Sequence, residues 1–106
     1  MAEVTKDEYE NHNEESLKLK RSKTRWSLFP WEQLQEAGDV FTVGAKKYLD
    51  NGWKQCDTEL YNDAICRHLM AYMSGEQKDS ESGFDHLSHI IANALILRWK
   101  NEQITE

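Results

Sequence analysis

Proline occurs once and glycine five times in 106 residues. So little turn chemistry excludes an all-β fold built on many tight turns. Cysteine is scarce too: Cys56 and Cys66 match no zinc-knuckle spacing and are too few for a disulfide framework. They are expected as reduced thiols. No apolar run approaches the ~20 residues that span a bilayer. No charged start followed by an apolar stretch marks a secretory signal. Together these absences predict a cytoplasmic protein with no membrane partner. Basic residues are the minority, 13 against 19 acidic, for a net charge of −6. Duplex nucleic acid is therefore not expected as a partner, because that affinity comes mostly from neutralising phosphates. A small anionic ligand is compatible with this balance if a few cations gather locally.

A hydrophobic share of 39% is too high for a fully disordered chain, and the length suits one domain. Residues 1–22 read as an arm outside that domain. Its first part carries Glu3, Asp7, Glu8, Glu10, Glu14 and Glu15 against Lys6. The sign then reverses at Lys18, Lys20, Arg21, Lys23 and Arg25. That basic run reads either as a solvated linker or as a cationic lip that meets phosphates.

Residues 23–106 read as a single helical domain. Pro30 suits a first helical turn, where its missing N–H is no loss. From Trp31 to about Tyr48, Leu34, Phe41 and Tyr48 recur on one face with Ala37 and Ala45 beside them. Asn51-Gly52 is a turn signal. A second helix fits Thr58 to Ser74, with Thr58 as N-cap, Gly75 as stop and Tyr61, Ile65, Leu69 and Tyr72 or Met73 as its stripe. A third runs from about Phe84 to Asn101 with Phe84, Leu87, Ile91, Ala94 and Leu95 on one side. The expectation is an all-α, three- to four-helix bundle. So small a core is marginal alone, which predicts completion by a homo-oligomer, most simply a dimer. The face around Phe41 is the candidate contact.

On the third helix His86, His89 and Asn93 share a polar stripe bordering the apolar face. Histidines so placed serve either packing or a site, as metal ligands, acid/base groups or phosphate donors. Neither histidine belongs to the Phe84, Leu87, Ile91 series, so replacing them is expected to damage ligand handling more than folding. Arg67 and His68 lie mid-way along the second helix. The guanidinium there either pairs with an acidic loop residue or forks onto a phosphate. The loop 75–83 brings Glu76, Asp79 and Glu81 close in sequence, either as solvated acidity or as oxygen ligands for a hard cation. Mixing in histidines would also suit Mn²⁺. Glu32, Glu36 and Asp39 read as a solvated stripe. Lys46 and Lys47 complement a helix C-terminus and are equally placed to meet a phosphate. Trp53 serves as a lid on the core or as a stacking platform for a base.

Read together, the string Arg25-Trp26-Ser27-Leu28-Phe29-Pro30, Gly44-Ala45-Lys46-Lys47-Tyr48, Asn51-Gly52-Trp53, Arg67-His68-Leu69, Gly75-Glu76, Asp79, Glu81-Ser82-Gly83, His86-Leu87, His89 and Asn93 closely resembles a phage family of dATP/dGTP diphosphohydrolase N-terminal domains. The resemblance spans about residues 23–98 and rests on several motifs in order. It implies a phage-type protein of the host cytoplasm that handles purine deoxynucleotides. It implies hydrolysis of dNTP to dNMP and pyrophosphate with Mg²⁺ or Mn²⁺, in the manner of all-α pyrophosphohydrolases related to MazG. Those relatives hold metal with Glu-x-x-Glu and Glu-x-x-Asp motifs on facing helices. Glu36-x-x-Asp39 fits one spacing, and no Glu-x-x-Glu follows on a later helix.

On this resemblance His68, Glu81 and His86 are expected to be catalytic. Lys46, Lys47, Tyr48, Trp53, Arg67 and Asn93 are expected to bind substrate. Glu76, Asp79, Glu81 and His89 are expected to hold the metal. The alternative is a non-catalytic protein that sequesters a nucleotide second messenger and so counters a host antiphage defence. Glu81 separates the two. If it serves a metal-dependent hydrolase, Glu81→Gln lowers turnover by orders of magnitude and removes the Mg²⁺ dependence of nucleotide affinity. In a sequestering protein the same change leaves binding unchanged or slightly tighter, and a chelator has no effect. Product analysis and titration of nucleotide with and without chelator read both outcomes.

Overall fold

The structure, a computed structural model, describes residues 23–104. The arm expected over 1–22 lies outside the described residues. Three α-helices follow one another: α1 (Trp31–Tyr48), α2 (Thr58–Met73) and α3 (His86–Ile104). Short 3-10 turns, Trp26–Leu28 and Gly52–Gln55, precede α1 and α2. No strand occurs among the described residues, so the fold is all-α as the periodicity predicts. No helix among them is long and apolar enough to cross a membrane.

Local chemistry sets the boundaries. Glu32 opens α1, and Lys46 and Lys47 close it, each complementing the helix dipole. The chain leaves α1 through Leu49 and Asn51, both at positive φ, and enters the second 3-10 turn. Asp57, one residue before the expected Thr58, is the N-cap of α2. At the other end Gly75 adopts φ +99°, which a side chain would resist. Its N–H donates to the Tyr72 carbonyl, and the Glu76 N–H donates to the Ala71 carbonyl, each at 3.0 Å. That pair is a Schellman closure. The third helix starts two residues later than expected. The Asp85 carboxylate accepts the Leu87 N–H at 2.8 Å and so caps it.

The packing is asymmetric. Helix α3 packs against both other helices, more extensively against α2, whereas α1 and α2 do not pack on each other. A cleft is therefore left between α1 and α2, and α3 is its floor. At one end Trp53 closes the bundle, edge-on to Phe41 at 5.9 Å and to Trp99 at 5.2 Å.

The faces turned inward differ from those the hydrophobic stripes predict. On α3 the buried residues are His86, Ser88, Ala92, Asn93, Ile96 and Lys100. Leu87, Ile91 and Leu95, expected inside, are 40%, 38% and 51% exposed. Leu69, Tyr72 and Met73 of α2 are also exposed, and Tyr48 of α1 is exposed although Ala37 is buried. The physical reason is close approach. Ala37 and Ala92 are almost inaccessible, and small side chains let helix backbones come together where leucines would hold them apart. Phe41, the expected oligomer contact, is engaged within the chain by Trp53.

Overpacking tests which face is inside. Ala92→Leu is expected to destabilise by about 1–3 kcal/mol. Ile91→Ala, one position away on the open side, is expected to cost less. Thermal or denaturant unfolding of the two variants compares them directly.

Candidate functional site

The cleft holds two cavities side by side, of about 560 and 590 Å³. Val40 and Gly44 of α1 and Arg67 of α2 border both. One cavity is polar and one aromatic.

The polar cavity is built on the loop between α2 and α3. The Schellman turn delivers Glu76, and a short antiparallel bridge between Lys78 and Asp85 folds the loop back. The Asp79 N–H donates to the Phe84 carbonyl at 2.8 Å, and the His86 N–H donates to the Gln77 carbonyl at 2.9 Å. These bonds hold Asp79 over the first turn of α3. Gly83, at φ +78°, makes the return.

Hydrogen bonds then fix the tautomers. Glu76 Oε1 lies 3.0 Å from His86 Nε2, so that nitrogen carries the proton and donates. A neutral His86 then presents the Nδ1 lone pair to His68 Nδ1, 2.8 Å away. Ser82 Oγ donates to Asp79 Oδ2 at 2.8 Å, which uses its single proton. It therefore accepts from His89 Nε2 at 2.7 Å. The Ser82 N–H gives Asp79 Oδ2 a second bond at 2.9 Å. The rings of His68 and His89 stack at 4.2 Å, 3° from parallel. One donor atom each from His68, Asp79 and His86 fall within 4.8 Å of one another.

Burial lowers the affinity of His68 and His89 for a proton, and the other imidazoles of the cluster lower it further, against the opposing pull of Asp79. Burial pushes the Asp79 carboxyl up, but its bonds from Ser82 and the charges of His89 and His68 outweigh this and bring it down. Near neutrality Asp79 is thus a carboxylate, and His68 and His89 are biased toward the neutral form. Lys47 and Arg67 line the same cavity, and Arg67 makes no ion pair among the described residues. The acidic loop partner expected as its alternative is not used.

In the aromatic cavity Phe41, Tyr48, Trp53 and Tyr61 supply ring walls, while Ala92, Asn93 and Ile96 of α3 form the floor. The Tyr61 hydroxyl donates to the Trp53 carbonyl at 3.4 Å, and burial raises its pKa. Beneath, the Lys100 ammonium is buried, donating to the carbonyls of Lys54 and Cys56 and facing the Tyr61 ring at 5.8 Å.

Most residues singled out from the sequence meet here. Lys47, Arg67, His68, Glu76, Asp79, Glu81, His86 and His89 line the polar cavity. Tyr48, Trp53, Arg67 and Asn93 line the aromatic one. Lys46 is exposed and lines neither. Among the expected metal ligands, Asp79 is in the converging group. Glu76 stands behind His86, His89 is bonded to Ser82, and Glu81 lies exposed. His86 is itself a packed residue, 3% exposed with both ring nitrogens bonded, so its loss touches folding as well as ligand handling.

Four contributors escape a reading by residue type. Ser82 links Asp79 to His89. Phe41 and Tyr61 are walls of the aromatic cavity. Glu36, expected in solvent, accepts the Asp85 N–H at 2.6 Å and stabilises the start of α3. The signal for Glu36 was its helical spacing with Val40, Val43 and Lys47, which all face the polar cavity. Asp39 lines neither cavity, so Glu36-x-x-Asp39 does not act as a pair at this site.

The lowered histidines make stability depend on pH. An unfolded chain takes up these protons near pH ~6.5, whereas the folded chain does so only at lower pH. The unfolded state therefore binds more protons between those values. This contribution is complete above pH ~6.5 and is lost as pH falls through the folded values. The melting temperature of metal-free protein is expected to fall between roughly pH 7.5 and 5.5. In His68→Gln the fall is expected to be shallower. Differential scanning calorimetry across that range checks both.

Comparison with known proteins bears on the same residues. A dATP/dGTP diphosphohydrolase of Salmonella phage PMBT28 is 25% identical over 83 residues, covering 78% of this chain. The chain spans 29% of that relative's length. No solved structure matches the chain. The family model for the N-terminal region of dATP/dGTP diphosphohydrolases matches residues 13–106, which include the whole cleft. By that match the chain belongs to the dATP/dGTP diphosphohydrolase, N-terminal family.

Proposed function

We propose that the cleft binds a purine deoxynucleoside triphosphate and, with a divalent cation, hydrolyses it to the monophosphate and pyrophosphate. The observation that carries this reading is the convergence of His68, Asp79 and His86 beside Arg67 and Lys47, in a cavity that shares Val40, Gly44 and Arg67 with an aromatic one. The name of the phage relative supports the substrate class.

Two imidazoles and one carboxylate are a fitting donor set for Mn²⁺ or a similar transition ion, and less so for Mg²⁺, which prefers oxygen. The Glu76 carboxylate on the outer nitrogen of His86 is the arrangement that orients an imidazole ligand. His68, Asp79 and His86 would hold the ion, with Asp79 kept in place by Ser82. Such an ion supplies polarisation of a phosphoryl oxygen and acidification of a bound water.

The chain's own groups do the rest. Arg67, at the junction of the cavities, forks onto the phosphates, and Lys47 adds a point charge. Glu81 makes no side-chain hydrogen bond among the described residues and can accept the proton of an attacking water. The water oxygen bonds to the α-phosphorus, the bridging bond from the α-phosphorus to the β-phosphate oxygen breaks, and pyrophosphate leaves with that electron pair. One observation favours binding without hydrolysis: Glu36 is committed to the start of α3, so the acidic motif of MazG-type relatives is not assembled.

A panel of dATP, dGTP, pyrimidine dNTPs and cyclic nucleotides, incubated with Mn²⁺ or Mg²⁺, tests the proposal. Purine dNMP and pyrophosphate are expected, with loss of product on chelation. Asp79→Asn is expected to lower turnover by roughly two orders of magnitude or more. Tight nucleotide binding that ignores chelator and yields no product would overturn hydrolysis in favour of sequestration.

A further inference from the structure

Of the polar groups that α3 buries, Ser88 and Asn93 make no side-chain hydrogen bond among the described residues, and of these two only Asn93 lines a cavity. It is 8% exposed and lies on the floor of the aromatic cavity. Unlike His86 and Lys100, its side chain makes no hydrogen bond among the described residues. No side-chain nitrogen or oxygen sealed from solvent among those residues lacks a partner, so the amide opens onto the cavity. An uncommitted buried amide costs free energy unless something that enters the cavity bonds to it. The walls above it are the rings of Phe41, Trp53 and Tyr61, and Arg67 stands at the way out toward the polar cavity. An aromatic slot with one amide at its base and a cation at its mouth suits a flat heterocycle joined to an anion.

We infer that Asn93 is a specificity-determining residue that reads the base edge formed by ring position 1 and the 6-substituent, and that it accepts both adenine and guanine by rotating its amide. This inference rests on the nucleotide reading above and adds how the base is chosen. A carboxamide carries one acceptor and one donor side by side. Adenine offers a 6-amino donor beside the N1 acceptor. Guanine offers a 6-oxo acceptor beside the N1–H donor. The two patterns are mirror images, and a half-turn of the Asn93 amide exchanges its oxygen and nitrogen to match either. No described residue fixes the amide in one orientation, because neither of its ends is hydrogen-bonded among them. The amide alone does not separate purines from pyrimidines, whose corresponding edges repeat the same two patterns. The larger stacking area of a purine against the aromatic walls does that.

Asn93→Leu tests the reading of that edge. Leucine keeps the size of the side chain and offers neither donor nor acceptor. The comparison nucleotide is purine deoxyriboside triphosphate, which carries hydrogen in place of the 6-substituent and so offers only the bare N1. Competition in one reaction with Mn²⁺, of dATP against that analogue and of deoxyinosine triphosphate, which keeps guanine's 6-oxo and N1–H groups, against it, gives ratios of kcat/KM values that do not depend on the fraction of variant that folds. The wild type is expected to favour both over the analogue by about tenfold, and Asn93→Leu is expected to bring both ratios to within about twofold of unity. Ratios that Asn93→Leu leaves unchanged within about twofold, or a wild type that favours one of the two over the analogue and not the other, would overturn the role of Asn93 and leave the hydrolase reading standing. If the wild type binds without turnover, hydrolysis fails, and the same ratios read by competitive binding still decide the role of Asn93. Absence of any dATP or dGTP binding by the wild type overturns both.

Discussion

A helix that turns imidazole, amide and ammonium groups inward must find each of them a partner, because a buried polar group without one costs more than a lost leucine contact gains. Helix α3 is such a helix, and the remainder of the domain is arranged around its demands. His86 is met by Glu76 on one side and His68 on the other. Lys100 is met by the carbonyls of Lys54 and Cys56 and the ring of Tyr61. The first set ties down the loop between α2 and α3, and the second ties down the turn between α1 and α2. Both ends of the cleft are thus closed by the same requirement acting on one helix. Asn93, midway between them on the cavity floor, makes no side-chain hydrogen bond among the described residues.

The charge distribution follows from that packing. The protein is acidic as a whole, yet the cleft sets two cations, Lys47 and Arg67, beside His68 and His89, whose burial favours the neutral imidazole. Neutral imidazole is the form that binds a metal, and an unpaired guanidinium is the form that binds a phosphate. The loop carboxylates divide the remaining work. Asp79 is locked by Ser82, Glu76 orients His86, and Glu81, exposed at the cavity, makes no side-chain hydrogen bond among the described residues. Three acidic residues close in sequence therefore hold three different positions, fixed by the Schellman turn and the short bridge that follow α2.

Much of this site was legible in the residues themselves. Polar and cationic residues spaced along helices, a glycine-bounded acidic loop and an Asn-Gly turn pointed to the cleft, and all the expected site residues except Lys46 line one of its cavities. What was not legible was their division of labour. Lys46 and Lys47 are equivalent as residue types. They differ because adjacent positions on a helix point about 100° apart, and only one of those directions meets the cleft. Ser82 acts through bonds to Asp79 and His89 that its loop brings together, and Glu36 through one hydrogen bond across the fold, which no spacing rule announces.

The sequence by itself determined the helices, their order and the family, because helical periodicity, caps and turn residues are local properties of the chain. It did not determine which side of α3 faces in. Apolar residues occur all round that helix, so hydrophobicity cannot rank its faces, and the leucine stripe that looked like a core is the side left open. Tertiary structure decided the matter. The alanine face lets α3 pack against its neighbours, and the polar groups beside it can be bonded only when loop, turn and helices are all in place. A site assembled from that inward face depends on contacts between segments far apart in the chain, and only the folded chain supplies them.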